Sequence, residues 1–377
     1  VPSSSAVRTV GTPIVALLLL VLVWHRTLPP LVVAVVAVAL IGAVLVAVHH
    51  AEVVAHRVGE PYGSLILAVA VTVIEVGLIL SITASGGPQT ASLARDTVFA
   101  AVMITCNGIV GLSLVVGAVR HHVVRFQAGG SAGALAAVIT LATLCLALPA
   151  FTTSSSGPTF AGPQLAFAAV VSVVLYGVYV FVQTVRHRDY FLPVAKATAV
   201  TDTGDDTGDD TGDEGGGDEE HLEPPSARMA LISLGLLLVA LVAVVGLAKT
   251  ISPTIEAGVA AVGAPPSVVG VAIALLVLLP ETLAAVNAAA RNRLQTSFNL
   301  AYGSALASIG LTIPAIALAS IWMDGPLLLG LSGLELVLLA VTALVGSVTV
   351  GRGTAIVLGG AVHLVIFAAF LFVAVVP

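Results

Sequence analysis

Eleven apolar runs divide this chain, and most are too long and too uninterrupted to be anything but helices that cross a lipid bilayer. Ten of them span roughly 18–24 residues, enough to cover the ~30 Å hydrocarbon core as a helix. They are residues 31–48, 63–84, 97–119, 131–150, 164–185, 229–248, 268–290, 298–321, 327–347 and 354–376, with a shorter run before them at 10–24. Lipid offers backbone N–H and C=O groups no partners, so each crossing segment must satisfy its own hydrogen bonds. The runs lack the two-residue alternation of lipid-facing strands, which excludes a barrel. Only 9% of the residues are charged, against about 25% in soluble domains. The expected fold is an all-α polytopic membrane protein of about 11 transmembrane helices.

The first run could be read as a secretory leader, because Arg8 precedes it. No small-x-small cleavage site follows; His25, Arg26, Pro29 and Pro30 do instead, and the expectation is a first transmembrane helix. Lys and Arg set the orientation. With a cytoplasmic N-terminus, the inside segments hold Arg8, Arg57, Arg120, Arg125, Arg186, Arg188, Lys196, Arg228, Arg291, Arg293 and Arg352. The outside segments hold only Arg26, Arg95 and Lys249. The C-terminus is then extracytoplasmic.

The formal charge of −6 misleads. More than half of the 20 acidic residues lie between Asp202 and Glu223, in a Gly- and Asp-rich stretch with almost nothing apolar to bury. This reads as a disordered cytoplasmic linker. It is a solvated spacer in the plainer view and a calcium-attracting antenna in the sharper one. The chain thus divides into an N-terminal tail and first helix (1–30), a five-helix unit (31–187), the linker (188–227) and a second five-helix unit (228–377). Five is odd, so the second unit must run opposite to the first across the membrane. That is the inverted-repeat plan of many secondary transporters, with the site at the midplane between repeats.

The second helix of each unit carries one carboxylate near its middle: Glu75 in TVIEVGL and Glu281 in LLPETLAAVN. An ionised carboxylate at that depth costs roughly 2.5–3.5 kcal/mol on insertion scales. Two in matching settings point to a cation site built from both. Thr72 shares a helical face with Glu75. Pro280, just before Glu281, removes one backbone hydrogen bond and frees a carbonyl near Leu276, and such a hard-oxygen corner suits Ca²⁺ or another hard cation. The third helices offer neutral oxygens: Asn107 with Thr105 in the first unit, Ser304, Ser308 and Thr312 in the second. Interhelical hydrogen bonding is the plainer reading of these.

Glu335 also falls within an apolar run and could line a proton path or pair with a buried hydroxyl. His363 reads first as a packing histidine and second as a proton relay. His49, His50, Glu52, His56, Arg57 and Glu60 gather at one mouth of the second and third helices, as snorkelling interfacial groups or as a proton-sensing entrance. Cys106 and Cys145 lie in apolar runs and read as buried free thiols. No GxxxxGK[ST], HExxH, CxxC or GxSxG occurs. No nucleotide drive, no enzyme activity, no cofactor and no nucleic-acid partner are therefore expected.

The segments HHAEVVAHRVGEPYG, TVIEVGLILS, RDTVFAAVMITCNGIVG and PETLAAVNAAARNRLQTSFNLAYGSALASIGLTIPA together resemble the calcium/proton antiporters of the cation/calcium exchanger superfamily. The resemblance is nearest to its ChaA-like ionic transporters of bacteria and archaea. It implies two inverted five-helix repeats, Glu75 and Glu281 as the essential carboxylates, Asn107 as the polar position of the first repeat, and a prokaryotic plasma membrane. One departure stands out: Ala307 occupies the place where relatives often carry Gln, Asn or Asp. The expected function is secondary antiport of a cation, first of all Ca²⁺, for protons. The alternatives are Na⁺(K⁺)/H⁺ antiport and then Na⁺/Ca²⁺ exchange; a cation channel is the rival of another class.

Overall fold

The computed structural model describes residues 4–24, 26, 28–59, 62–86, 90–191, 225–261, 263–322 and 327–377. The acidic linker expected from the sequence falls almost wholly outside these residues, as does Glu60.

Each apolar run holds a helix, though one run is broken and another becomes helical only part-way along. The helices are α1 (Ser4–Val23), α2 (Pro30–Val58), α3 (Tyr62–Gly86), α4 (Leu93–His121), α5 (Ala128–Ala150), α6 (Gly162–Arg186) and α7 (Ala227–Ala261). A broken pair follows, α8 (Ser267–Val277) and α9 (Leu279–Ala290), then α10 (Leu294–Ala319), α11 (Gly333–Gly351) and α12 (Val357–Val375). Among the described residues, 9 helices are long and apolar enough to cross a membrane, or 10 when α8 and α9 count as one span. The expected eleven is reached only by adding the shorter apolar stretch Thr9–Val23 of α1.

Two helices sit at the centre. The apolar window of α4 is 89% buried and that of α10 is 61% buried, against 22% for α6, α11 and α12. The outer three therefore face lipid, and α4 and α10 face protein. The chain ends of one side are tied together. A short antiparallel pair joins β1 (Val124–Arg125) to β2 (Thr354–Ala355). The Gln127 amide donates to Gln295 Oε1 at 2.7 Å, and Asn299 Nδ2 donates to the Phe191 carbonyl at 2.6 Å. This end gathers the segments that carry Arg120, Arg125, Arg186, Arg291, Arg293 and Arg352, and is called the basic end below.

At the opposite end the run 327–347 departs from expectation. Its first residues are extended, and the helix begins only at Gly333. Leu328, Leu329, Gly330 and Leu331 donate their amides to Ala91, Pro158 and Leu146 carbonyls, which replaces the helical bonds they forgo. Ser332 then opens α11 with a capping box: its hydroxyl accepts from the Glu335 amide, and Glu335 Oε2 accepts from the Ser332 amide at 2.7 Å. Each half of that exchange satisfies a donor the helix start leaves orphaned.

Both five-helix units share details that composition does not reveal. Glu52, Gly59 and Pro61 at the α2–α3 corner recur in the same spacing as Glu256, Gly263 and Pro265 at the α7–α8 corner. Both glycines adopt positive φ, 77° and 68°, a conformation glycine reaches without the Cβ penalty. Both central helices widen into π turns at matching places, Ile104–Ile109 in α4 and Ser308–Thr312 in α10.

At the end opposite the basic end, α4 and α8 touch backbone to backbone. A Cβ on Gly270 would lie 2.9 Å from both Asp96 Cβ and the Thr97 nitrogen. Gly270→Val should therefore force the two helices apart and cost about 1–3 kcal/mol by overpacking. A lowered melting temperature in detergent would register this, with the exposed Gly235→Val, which meets nothing within 4 Å, as the control that leaves it unchanged.

Candidate cation site

Glu75 and Glu281 come to one place. Both line a single cavity of ≈ 830 Å³, and both are buried, at 4% and 8% exposure. They lie within electrostatic reach of one another. The surroundings of the two carboxylates differ. Glu75 sits in the unbroken helix α3, and the second repeat supplies its partners: Ser308 Oγ donates to Oε1 at 2.7 Å, and Thr312 Oγ1 donates to Oε2 at 3.1 Å. The π turn of α10 carries both hydroxyls; such turns recur at functional sites because they shift the side chains a regular helix would aim elsewhere.

Glu281 has no such hydroxyls. The helix breaks ahead of Pro280, α8 and α9 meet at a bend of 52°, and Glu281 falls in the first turn of α9. The positive end of the helix dipole favours negative charge there. Its Oε2 is buried and has no hydrogen-bond partner among the described residues. Thr72, Ser304 and Ser308 line the same cavity and add neutral oxygens. Carboxylate and hydroxyl oxygens are the donors hard cations take, with water completing the shell. Among the described residues no group of three or more His, Cys, Asp or Glu is gathered to hold a resident metal.

The cavity opens at the basic end, between Glu52, His56 and Gly59 of the α2–α3 corner, Gln183 of α6, Pro225 before α7, and Thr296 and Asn299 of α10. A second pocket of ≈ 340 Å³ lies between the end of α7, the starts of α4 and α8 and the end of α3. The two share no lining residue.

The family model for the sodium/calcium exchanger protein matches residues 28–185 and 232–376, on either side of the acidic stretch. The chain belongs to the sodium/calcium exchanger family. It is a membrane protein that exchanges cations. The exchanger is 47% identical over 342 residues to "Putative ionic transporter y4hA" of Sinorhizobium fredii, covering 90% of this chain and 87% of that one. It is 34% identical to the sodium-potassium/proton antiporter ChaA of Escherichia coli, over 95% and 93% of the two chains. In fold it resembles YfkE, at TM-score 0.67 with 17% identity over 98% and 99% of the chains. It resembles the H⁺/Ca²⁺ exchanger CAX equally, at TM-score 0.67 and 17% identity over 98% and 88%.

Four expected site residues, Asn107, Thr105, Glu335 and His363, lie elsewhere in the exchanger. Asn107 does not line the cavity. Its Nδ2 donates to Thr342 Oγ1 at 2.9 Å, and its Oδ1 accepts from His363 Nδ1 at 3.1 Å. Thr349 Oγ1 donates to His363 Nε2 at 3.0 Å, so one buried chain of polar groups ties α4 to α11 and α12. His363 is thereby a fully partnered histidine. Thr105 spends its hydroxyl on its own helix, donating to the Ala101 carbonyl at 2.7 Å. Glu335 is occupied by the α11 cap rather than a buried path. Thr312, named above only among neutral oxygens, is a direct partner of Glu75. Its spacing of one turn from Ser308 on α10 was the available signal.

Asn107→Ala should therefore act on stability more than on cation binding. It leaves His363 and Thr342 short of a partner, at a cost of about 1–3 kcal/mol. A melting curve should show that loss, and calorimetric titration with cation should show affinity within a few-fold of the parent protein.

Proposed function

We propose that the protein is a secondary antiporter that exchanges Ca²⁺ for protons by alternating access. The observation that carries the reading is the pair of buried carboxylates, one from each repeat, on one cavity: Glu75 and Glu281. Carboxyl groups buried close together are cheaper protonated than ionised. A divalent cation entering between them balances both charges, and two protons leave to water. Ser308 and Thr312 hold the Glu75 carboxylate in place, while the unpartnered Glu281 Oε2 is free to turn to cargo. A site that is empty and doubly charged is costly to carry past apolar helices. Reorientation then requires either cation or protons, which makes exchange obligatory.

The fold shared with YfkE and CAX supports this plan. The excess of Lys and Arg at the basic end supports a cytoplasmic position for the open mouth. A second reading, exchange of Na⁺ or K⁺ for protons, draws on the relative from Escherichia coli, named a sodium-potassium/proton antiporter. Cation-triggered proton movement in proteoliposomes, with Ca²⁺, Na⁺ and K⁺ compared, decides between the two. Glu75→Gln and Glu281→Gln should each abolish flux driven by a pH gradient in the same vesicles. Near-normal flux in either variant would remove the carboxylates from the mechanism.

A further inference from the structure

The open cavity is lined by a third carboxylate that the Glu75–Glu281 pair does not use. Glu52 stands on the last turns of α2 and lines the mouth of the open cavity. It makes no hydrogen bond or ion pair among the described residues, and it lies within electrostatic reach of Glu281. Its titratable neighbours on its own helix are His49 and His56. The cavity that begins at Glu52 ends on the buried, unpartnered Oε2 of Glu281. A cation entering from the basic end thus passes from one uncommitted carboxylate to another.

We propose that Glu52 is a mouth carboxylate that draws cations to the transport path from the basic end. The proposal rests on the cation-exchange reading above. A carboxylate some ~8 Å from an arriving ion in water-like surroundings raises local occupancy about five-fold for a divalent cation and about two-fold for a monovalent one. Salt screens this attraction. The charge acts on arrival and leaves the occluded site untouched, so it changes KM and not kcat, and only on its own side.

The test uses the full chain in proteoliposomes, with orientation measured by protease removal of a terminal tag. Cation is varied on one side at a time, with Ca²⁺ and Na⁺ as probes. Glu52→Gln should raise the KM for Ca²⁺ about five-fold and for Na⁺ about two-fold at the basic end, with kcat and the opposite face unchanged. Glu52→Asp should restore the parent value, and in the parent chain KM at the basic end should rise with ionic strength. An unchanged KM in a Glu52→Gln protein that melts like the parent overturns the proposal. So does an equal shift on both faces, or a fall in kcat at constant KM. If the parent chain moves neither cation, the exchange reading fails and takes this proposal with it; flux in the parent with no sided effect defeats this proposal alone.

Discussion

A carboxylate inside a membrane has to be neutralised by something, and the protein is arranged around two that must be. The insertion cost of roughly 2.5–3.5 kcal/mol for one such group is a sizeable part of what holds a domain folded, about 5–15 kcal/mol. Glu75 meets it with two hydroxyls reached across from the other repeat, Ser308 and Thr312. Glu281 meets it with the start of a half-helix, and keeps one oxygen without a partner. The pair is therefore unequal, although the repeats are alike. One member is held, and the other is ready to accept.

The surrounding helices explain how such a pair stays placed. α4 and α10 are the most enclosed spans, and each loosens into a π turn beside the site. α4 is further tied to α11 and α12 through Asn107, Thr342, His363 and Thr349. That chain of buried polar groups is fully partnered, which is the condition under which it rigidifies rather than weakens a core. It fixes the back of the first repeat, while the front faces the cavity.

Much of this was legible in the residues, and the failures have physical causes. Apolar length located every span, and isolated charge within apolar runs located Glu75 and Glu281. Pro280 announced the break that the bend of 52° displays. Asn107 follows the plainer of its two readings, interhelical hydrogen bonding, with partners on α11 and α12 that local sequence does not name. The π turn over Ile104–Ile109 inserts extra residues per turn and rotates the helix beyond it. Glu335 was misread because the letters before it, LLLGLS, are as apolar as a helix, although SGLE spells a capping box. The extended course of 328–331 depends on carbonyls of Ala91, Leu146 and Pro158, which no local pattern announces. The recurrence of Glu52, Gly59 and Pro61 as Glu256, Gly263 and Pro265 was present in the letters all along. It gained meaning only when both glycines proved to turn the same way.

Among the described residues, the cavity opens at the basic end. Ions reaching Glu281 from the basic end find α4 pressed against α8 behind them, with no room there even for a methyl group on Gly270. Whatever enters in this conformation must go back the way it came. Filling and emptying the vestibule many times over moves no charge across the bilayer, so a gradient of any size can stand against the open form without running down.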